Sequence, residues 1–391
     1  MKAKILTRSI WILSLVSLFN DVATEMLYPI MPVYLKSIGF SIVLIGVLEG
    51  FVEATAGISK GYFGQMSDRI GLRVPFIKAG YALSAFAKPL LALFTYPWWI
   101  FIVRSIERLG KGIRTSARDA FLSDQTIPEH KGKVFGFHRS LDTVGAAIGP
   151  LISLSFLFYF PEKYKLLFLF SFIPGIIAVA LTFVLRDKKL VPSRSQRKFH
   201  FFSFLGYWKR SNSQFKWLVT GLFLFALINS SDAFILMGLK EKGYTDYQMI
   251  GFYIFYNLMY AALSYPIGIL ADKFGIRKML LFGIAMFGIM YLCFGFVGST
   301  LLLMLLFIIY GIYASATEGM AKALITNIST KEETATAIGF YNSILSVCTL
   351  IASSFGGFLW FTFSSKVMFT FSGVGAFVIV IYFLVVRKRF S

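Results

Sequence analysis

Gly64-Gln65-Met66-Ser67-Asp68-Arg69-Ile70-Gly71-Leu72-Arg73 returns as Gly268-Ile269-Leu270-Ala271-Asp272-Lys273-Phe274-Gly275-Ile276-Arg277. The shared pattern is G-x-x-x-D-[RK]-x-G-x-R, and the copies lie 268 − 64 = 204 residues apart in a chain of 391. Each copy closes one apolar stretch and opens the next, so each reads as a tight polar loop between two hydrophobic segments. A polar loop duplicated inside a duplicated apolar pattern predicts a membrane protein built from two related halves.

Composition supports that reading. The chain is 57% hydrophobic and 15% charged, with a mean hydropathy of +0.71. Soluble domains sit near 45–50% apolar and about 25% charged. Windows of about 20 mostly apolar residues fall at 9–35, 42–65, 74–94, 97–117, 133–159, 165–185, 214–238, 247–270, 278–297, 300–324, 334–358 and 366–386. They predict an all-α membrane protein with twelve transmembrane helices in two six-helix pseudo-symmetric halves, 1–186 and 213–391, joined by a basic linker over 187–212. Within the linker, Phe201, Phe202, Phe204, Leu205, Tyr207 and Trp208 suit an amphipathic segment lying on the membrane surface; a solvated basic connector is the other reading.

The formal net charge of +20 is the excess expected of cytoplasmic loops, and no nucleic-acid partner is called for. Placing both termini in the cytoplasm puts the linker, both repeated loops and the tail Arg387-Lys388-Arg389 inside. Lys36, Lys163, Lys165, Lys240, Lys242 and Lys366 are then left on the opposite face. Lys2, Lys4 and Arg8 before an apolar run resemble a signal peptide. No small-residue cleavage site follows, and Asn20, Asp21 and Glu25 interrupt the run, so a retained first span is expected. The two cysteines, Cys293 and Cys348, lie in apolar segments and imply no disulfide framework. At the 204-residue offset Lys36 and Gly39 fall on Lys240 and Gly243, and Arg118 falls on Lys322. After one residue is lost, Gly136 and Ser140 fall on Gly339 and Ser343.

These residues resemble the major facilitator superfamily of secondary transporters. The repeated loop is similar to that superfamily's signature between its second and third spans, with a weaker copy between the eighth and ninth. Arg104-Ser105-Ile106-Glu107-Arg108-Leu109-Gly110-Lys111-Gly112 is similar to the fourth-span pattern R-x-x-Q-G-x-G-x-G, with Glu107, Arg108 and Lys111 departing from it. Gly136, Gly145, Gly149 and Pro150 match the fifth-span antiporter pattern, where Ser153 and Leu154 replace two glycines. The resemblance implies alternating access around a midplane site, coupling through Arg104, close helix packing and a bend at Gly136, Gly145, Gly149 and Pro150, and a tilt toward proton-driven export.

A rocking transporter needs a latch, and each loop offers an aspartate, a cation and glycines for a tight turn. The latch residues are Gly64, Asp68, Arg69, Gly71 and Arg73, with Gly268, Asp272, Lys273, Gly275 and Arg277. The offset nominates Arg118 as partner of Asp68 and Lys322 as partner of Asp272, with Arg114 competing for Asp68. The alternative is that these residues only shape a turn and orient the chain.

Charge at membrane depth is costly, roughly 2.5–3.5 kcal/mol per group on insertion scales, so it must face water or pair. Asp21 and Glu25 lie four apart on one helix face, as do Glu49 and Glu53. With Arg104 and Glu107 these are the proton-coupling candidates, Glu107 being expected to pair with Arg108 or Lys111. Cavity candidates are Arg108, Lys111, Arg139, Asp142, Asn229, Asp232, Tyr256 and Asn257; Lys78, Lys88 and Glu318 also fall inside spans. Tyr253, Tyr256 and Tyr260 recur at helical spacing and read as pocket lining or as packing. His138, one of three histidines, has no His/Cys cluster around it, so a structural role is expected and no metal or other cofactor is called for.

The expected protein is therefore a monomeric, multi-pass transporter in the plasma (inner) membrane. It carries a small organic solute, with protons and membrane lipid as its other partners. Proton-coupled efflux leads. Proton-coupled import of an anionic solute such as a sugar acid or iron chelate is the alternative. A membrane-embedded enzyme acting on lipid would need a reactive constellation that the sequence does not supply.

Overall fold

The computed structural model describes residues 5–187 and 200–385. Lys2, Lys4, Lys188, Lys189, Arg194, Arg197, Lys198 and the tail basic cluster lie outside the described residues.

Helices account for the apolar windows. They are α1 (Arg8–Glu25), α2 (Met31–Ser37), α3 (Ile42–Ile70), α4 (Val74–Leu90), α5 (Pro97–Asp124), α6 (Lys131–Tyr159), α7 (Tyr164–Phe170) and α8 (Phe172–Thr182). After the linker come α9 (Tyr207–Arg210), α10 (Ser213–Ala226), α11 (Ala233–Glu241), α12 (Asp246–Phe274), α13 (Ile276–Phe294), α14 (Thr300–Ile328), α15 (Thr334–Thr362) and α16 (Ser365–Val385). Counting α1–α2, α7–α8 and α10–α11 each as one interrupted span gives the twelve expected crossings. Among the described residues seven helical stretches are long and apolar enough to cross a membrane on composition alone. The remainder are broken, short or charged.

The repeat is visible in the backbone. The glycines with positive φ form two pairs at the 204-residue offset: Gly39 (92°) with Gly243 (90°), and Gly71 (72°) with Gly275 (101°). The helix caps follow the same spacing: Ser41 caps α3 through the Leu44 N–H, and Thr245 caps α12 with Gln248 completing a capping box. α5 runs seven residues past its apolar window (124 − 117), because Arg118, Asp119 and their neighbours continue a buried helical face beyond the hydrophobic stretch.

Both halves begin with a broken span at matching places. The first break, after Glu25, contains Pro29, which has no N–H for the helical ladder. The second, after Ala226, contains Asn229, Ser230, Ser231 and Asp232, and the Ser231 hydroxyl accepts from the Ala233 N–H at 3.3 Å. Glu25 and Asn229, like Tyr28 and Asp232, are 204 residues apart.

The chain clusters into two compact units. Unit 1 comprises 1–126, 141–207 and 330–343; unit 2 comprises 127–140, 208–329 and 344–391. The units therefore do not follow the sequence halves: the first turns of α6 belong to unit 2, and those of α15 to unit 1. In unit 1, α5 packs on α3 and α4, and α8 on α1 and α4. Val22, Leu27, Met31, Tyr34, Leu48, Val52 and Phe168 form part of its apolar core. In unit 2, α14 packs on α12 and α13, and α16 on α13. Its core is aromatic: Phe287 stacks on Tyr291 at 4.0 Å, and Phe294 meets Phe369 edge-on at 4.8 Å. Val374, Val378, Ile381 and Leu384 of α16 are exposed apolar side chains, as a lipid-facing helix requires.

Candidate functional site

The ionisable side chains of unit 1 collect on α5. Helical spacing puts Arg104, Glu107, Arg108 and Lys111 along one face, opposite Glu49 and Glu53 of α3. Arg104 bridges Glu107 at 2.7 Å and Glu49 at 2.8 Å, and Arg108 reaches Glu53 at 3.6 Å. Glu107 is thus held by Arg104, which corrects the expected pairing with Arg108 or Lys111. The two sites lie one turn apart, and the guanidinium fork offers Glu107 and Glu49 a donor each.

Deeper along α5, Arg114 donates to the Ser84 hydroxyl at 2.7 Å and lies over the Tyr81 ring at 4.5 Å. Lys88 is fully buried and donates to the Ser84 carbonyl at 3.2 Å. Lys88, Lys111 and Arg114 have no carboxylate within 4 Å among the described residues. Arg118 bridges Asp119 at 3.1 Å and Asp142 at 3.8 Å, and donates to the Ser17 hydroxyl, which in turn donates to Asp142. Asp21 accepts from the Asn20 side chain at 3.1 Å, Asp142 accepts from the Ser17 hydroxyl, and the two carboxylates are near enough to repel each other. Nearby in α1, the Glu25 Oε2 atom is buried without a hydrogen-bond partner.

α6 presses this cluster onto α1. A Cβ on Gly145 would lie 2.4 Å from the Leu18 carbonyl, and one on Gly149 would lie 2.8 Å from the Glu25 Cβ. Ser153, standing where the resemblance calls for glycine, donates its hydroxyl to the Met26 carbonyl at the α1–α2 break. Arg139 and Asp142, three residues apart in α6, separate: Asp142 joins unit 1, whereas Arg139 joins unit 2.

In unit 2, Arg139 pairs with Glu318 and donates to the Tyr260 hydroxyl. Tyr310 donates to Asp232 at 2.6 Å, and Asn229 donates to the Tyr313 hydroxyl at 2.7 Å, both at the α10–α11 break. Tyr256 packs against Tyr310 at 4.8 Å and Tyr260 at 5.9 Å. Asn257 donates back to the Tyr253 carbonyl, an intrahelical role. Tyr310 and Tyr313 escaped the sequence reading. Their three-residue spacing, opposite the Tyr256–Tyr260 pair, was the available signal.

The repeated loops hold helix starts. Asp68 accepts from the N–H groups of Ala335 (3.2 Å) and Thr336 (2.5 Å) and from the Thr336 hydroxyl (2.6 Å) in the first turn of α15. It also pairs with Arg73 at 2.5 Å. Asp272 accepts from the Lys133 N–H at 2.9 Å, with Gly132 beside it, in the first turn of α6. Each carboxylate meets the orphan donors and positive end of a helix. The expected partners are therefore corrected. Arg73 stands where Arg118 or Arg114 was expected, and the Lys133 N–H stands where Lys322 was expected, because a helix start offers unpaired main-chain donors. The leading glycines are sterically required: a Cβ on Gly64 would lie 2.4 Å from the Ala335 carbonyl, and one on Gly268 would lie 2.5 Å from the Gly132 carbonyl. Arg69 and Lys273 are exposed, and Arg277 donates to the Phe383 carbonyl at 2.7 Å. Among the described residues no three His, Cys, Asp or Glu side chains are placed to hold a metal ion.

Twelve crossings, duplicated loops seated on helix starts and charge concentrated inside one bundle define a polytopic secondary transporter. The family model of the Major Facilitator Superfamily matches residues 13–257 and 241–391, and the chain belongs to that superfamily. The MFS-type transporter MJ1317 of Methanocaldococcus jannaschii is 33% identical over 361 residues, covering 91% of this chain and 89% of the relative. The multidrug resistance protein MdtH of Photorhabdus laumondii is 30% identical over 122 residues, 30% of this chain and 29% of that protein. The crystal structure of the human organic anion transporter MFSD10 superposes with a TM-score of 0.80 at 14% identity, covering 96% of this chain and 98% of that one, a likeness of fold alone.

Proposed function

We propose that this transporter is a proton-coupled antiporter that exports a small zwitterionic organic solute by alternating access. On this reading it sits in the plasma (inner) membrane with both termini and both repeated loops cytoplasmic. The observation that supports it is the Asp21–Asp142 carboxyl pair of unit 1, set among cations. Two neighbouring carboxylates that repel each other share a proton more readily than either binds one alone, so the pair is a place where a proton is taken up or given away. Glu25, with its orphan oxygen, is the neighbouring acceptor. Glu49 and Glu107, tied to Arg104, act as fixed counter-charges. The MdtH relative's name, a multidrug resistance protein, supports the export direction.

The sign of coupling follows from charge. A cationic group on the solute competes with the proton for Asp21, Asp142 and Glu25, which is antiport, while an anionic group rests on Lys111 and Arg114. A purely anionic solute reverses the sign: protonating the carboxyls favours its binding, so proton and solute move together. The absence of a carboxylate within 4 Å of Lys88, Lys111 and Arg114 favours this second reading, an importer of an anion.

Proteoliposomes with an imposed pH gradient and a panel of zwitterionic and anionic solutes test both. Antiport acidifies the compartment that the solute leaves; symport alkalinises it. Asp21→Asn and Asp142→Asn should abolish gradient-driven accumulation while leaving solute exchange at equal pH. Unchanged accumulation in both variants would overturn the assignment.

A further inference from the structure

The stretch His200-Phe201-Phe202-Ser203-Phe204-Leu205-Gly206-Tyr207-Trp208-Lys209-Arg210 contains no acidic residue, and it divides into two faces. Phe204 and Tyr207 are buried against the protein. Phe204 fills the notch left by a missing side chain: a Cβ on Gly61 would lie 2.4 Å from its ring. Ser203 donates to the Gln65 side chain, Phe201 lies on Tyr62 at 4.9 Å, and Tyr207 meets Phe340 of α15 at 6.4 Å. The notch marks a close crossing of α3 and α15, since a Cβ on Gly339 would lie 2.5 Å from the Lys60 carbonyl and 3.0 Å from the Gly61 Cα. The opposite face carries Phe201, Phe202 and Leu205, 45%, 57% and 41% exposed, followed by the exposed Lys209 and Arg210.

We propose that residues 200–210 form a lipid-anchored brace. Phe201, Phe202 and Leu205 enter the leaflet on the side of the repeated loops, Lys209 and Arg210 bind anionic phospholipid headgroups, and Phe204 locks the α3–α15 crossing at Gly61 and Gly339. Two observations select lipid as the occupant. The segment is fastened to α3 between Gly61 and Gln65, inside or at the edge of its apolar span, so its apolar face stands where the bilayer begins. Its charge is all of one sign, and apolar side chains beside bases are the pattern that binds anionic membrane surfaces. Each base near such a surface strengthens association about fivefold, so two give roughly thirtyfold. The brace then couples leaflet composition to a helix crossing next to the Asp68 latch.

Hydrogen exchange on the full-length transporter needs no knowledge of the solute, so its outcome is separate from the coupling scheme above. The protein is reconstituted in phosphatidylcholine vesicles with and without phosphatidylglycerol. Backbone exchange over 200–210 should slow when phosphatidylglycerol is present, and Lys209→Gln with Arg210→Gln should remove that difference. Lys209→Arg should retain it, and inorganic phosphate added to pure phosphatidylcholine vesicles should not reproduce it. Phe204→Ala should speed exchange in the first turns of α15 in both lipids. Equal exchange in the two lipids, or a difference that survives the double glutamine variant, would overturn lipid anchoring. An unaltered α15 in Phe204→Ala would overturn the brace.

Discussion

Asp68 and Asp272 stand 204 residues apart in the same motif, and each caps the first turn of a helix from the other half of the sequence. Their surroundings differ. Asp68 is 2% exposed and adds to its main-chain donors the Thr336 hydroxyl and the Arg73 guanidinium. Arg73 in turn reaches Asp124 at 3.4 Å, and Asp187 accepts from its N–H at 2.9 Å. Asp272 is only partly buried and accepts from one main-chain donor, the Lys133 N–H, while its equivalent arginine, Arg277, turns to the Phe383 carbonyl. The sequence contains the cause: positions 328 and, past the lost residue, 390, equivalent to Asp124 and Asp187, are isoleucine and phenylalanine. One loop became a buried ion network and the other remained a helix cap. The bundles diverge in parallel, with charge crowded on α5 in unit 1 and tyrosine hydroxyls gathered around Asp232 and Arg139 in unit 2.

Substitutions at matched positions sharpen or break this contrast. The largest effect is expected from Arg73→Gln, which leaves Asp68 buried without its cation and should cost about 3–5 kcal/mol in a thermal unfolding measurement. Arg277→Gln strands no buried carboxylate and should cost less, about 1 kcal/mol. Equal losses would show the loops to be energetically alike. Next, Asp272→Ala should cost about 0.5–2 kcal/mol, as loss of a cap does, and Asp68→Ala should exceed it because buried Arg73 loses its nearer carboxylate and keeps only Asp124 at 3.4 Å. In the Asp68→Arg background, Arg118→Asp should give no rescue, since Arg118 is engaged with Asp119 and Asp142; recovery of stability would restore the pairing read from the offset.

The steric half of the motif is symmetric, and its variants should behave alike. Gly64→Ala and Gly268→Ala each force a methyl against a carbonyl and should cost about 1–3 kcal/mol. A twofold or larger disparity in their melting shifts would show the two crossings to be unequal after all. Smallest of all, Arg69→Gln and Lys273→Gln remove exposed charges and should change stability by less than about 0.5 kcal/mol.

Much of this was legible in the chain. The paired loops, the windows and the matched glycines gave the twelve spans, and i, i+3 and i, i+4 spacing placed Glu49, Glu53 and the α5 cations on facing surfaces. The partners were less legible. Offset arithmetic nominated Arg118 and Lys322, because a repeat reports which residues correspond and not which residues touch. Arg139 and Asp142 looked like one pair and serve two units, because a helix presents different faces to different neighbours.

By itself, the sequence determined that the chain crosses the membrane, that it is doubled and where its tight turns fall. Hydrophobic length, charge cost and the need for positive φ are local properties of a segment. Only the tertiary structure decided that Asp68 caps α15 and Asp272 caps α6, that Arg104 claims Glu107, and that Asp21 faces Asp142. Those contacts depend on how helices distant in sequence cross, and side-chain hydrogen bonds act over a few ångströms that no spacing along the chain specifies.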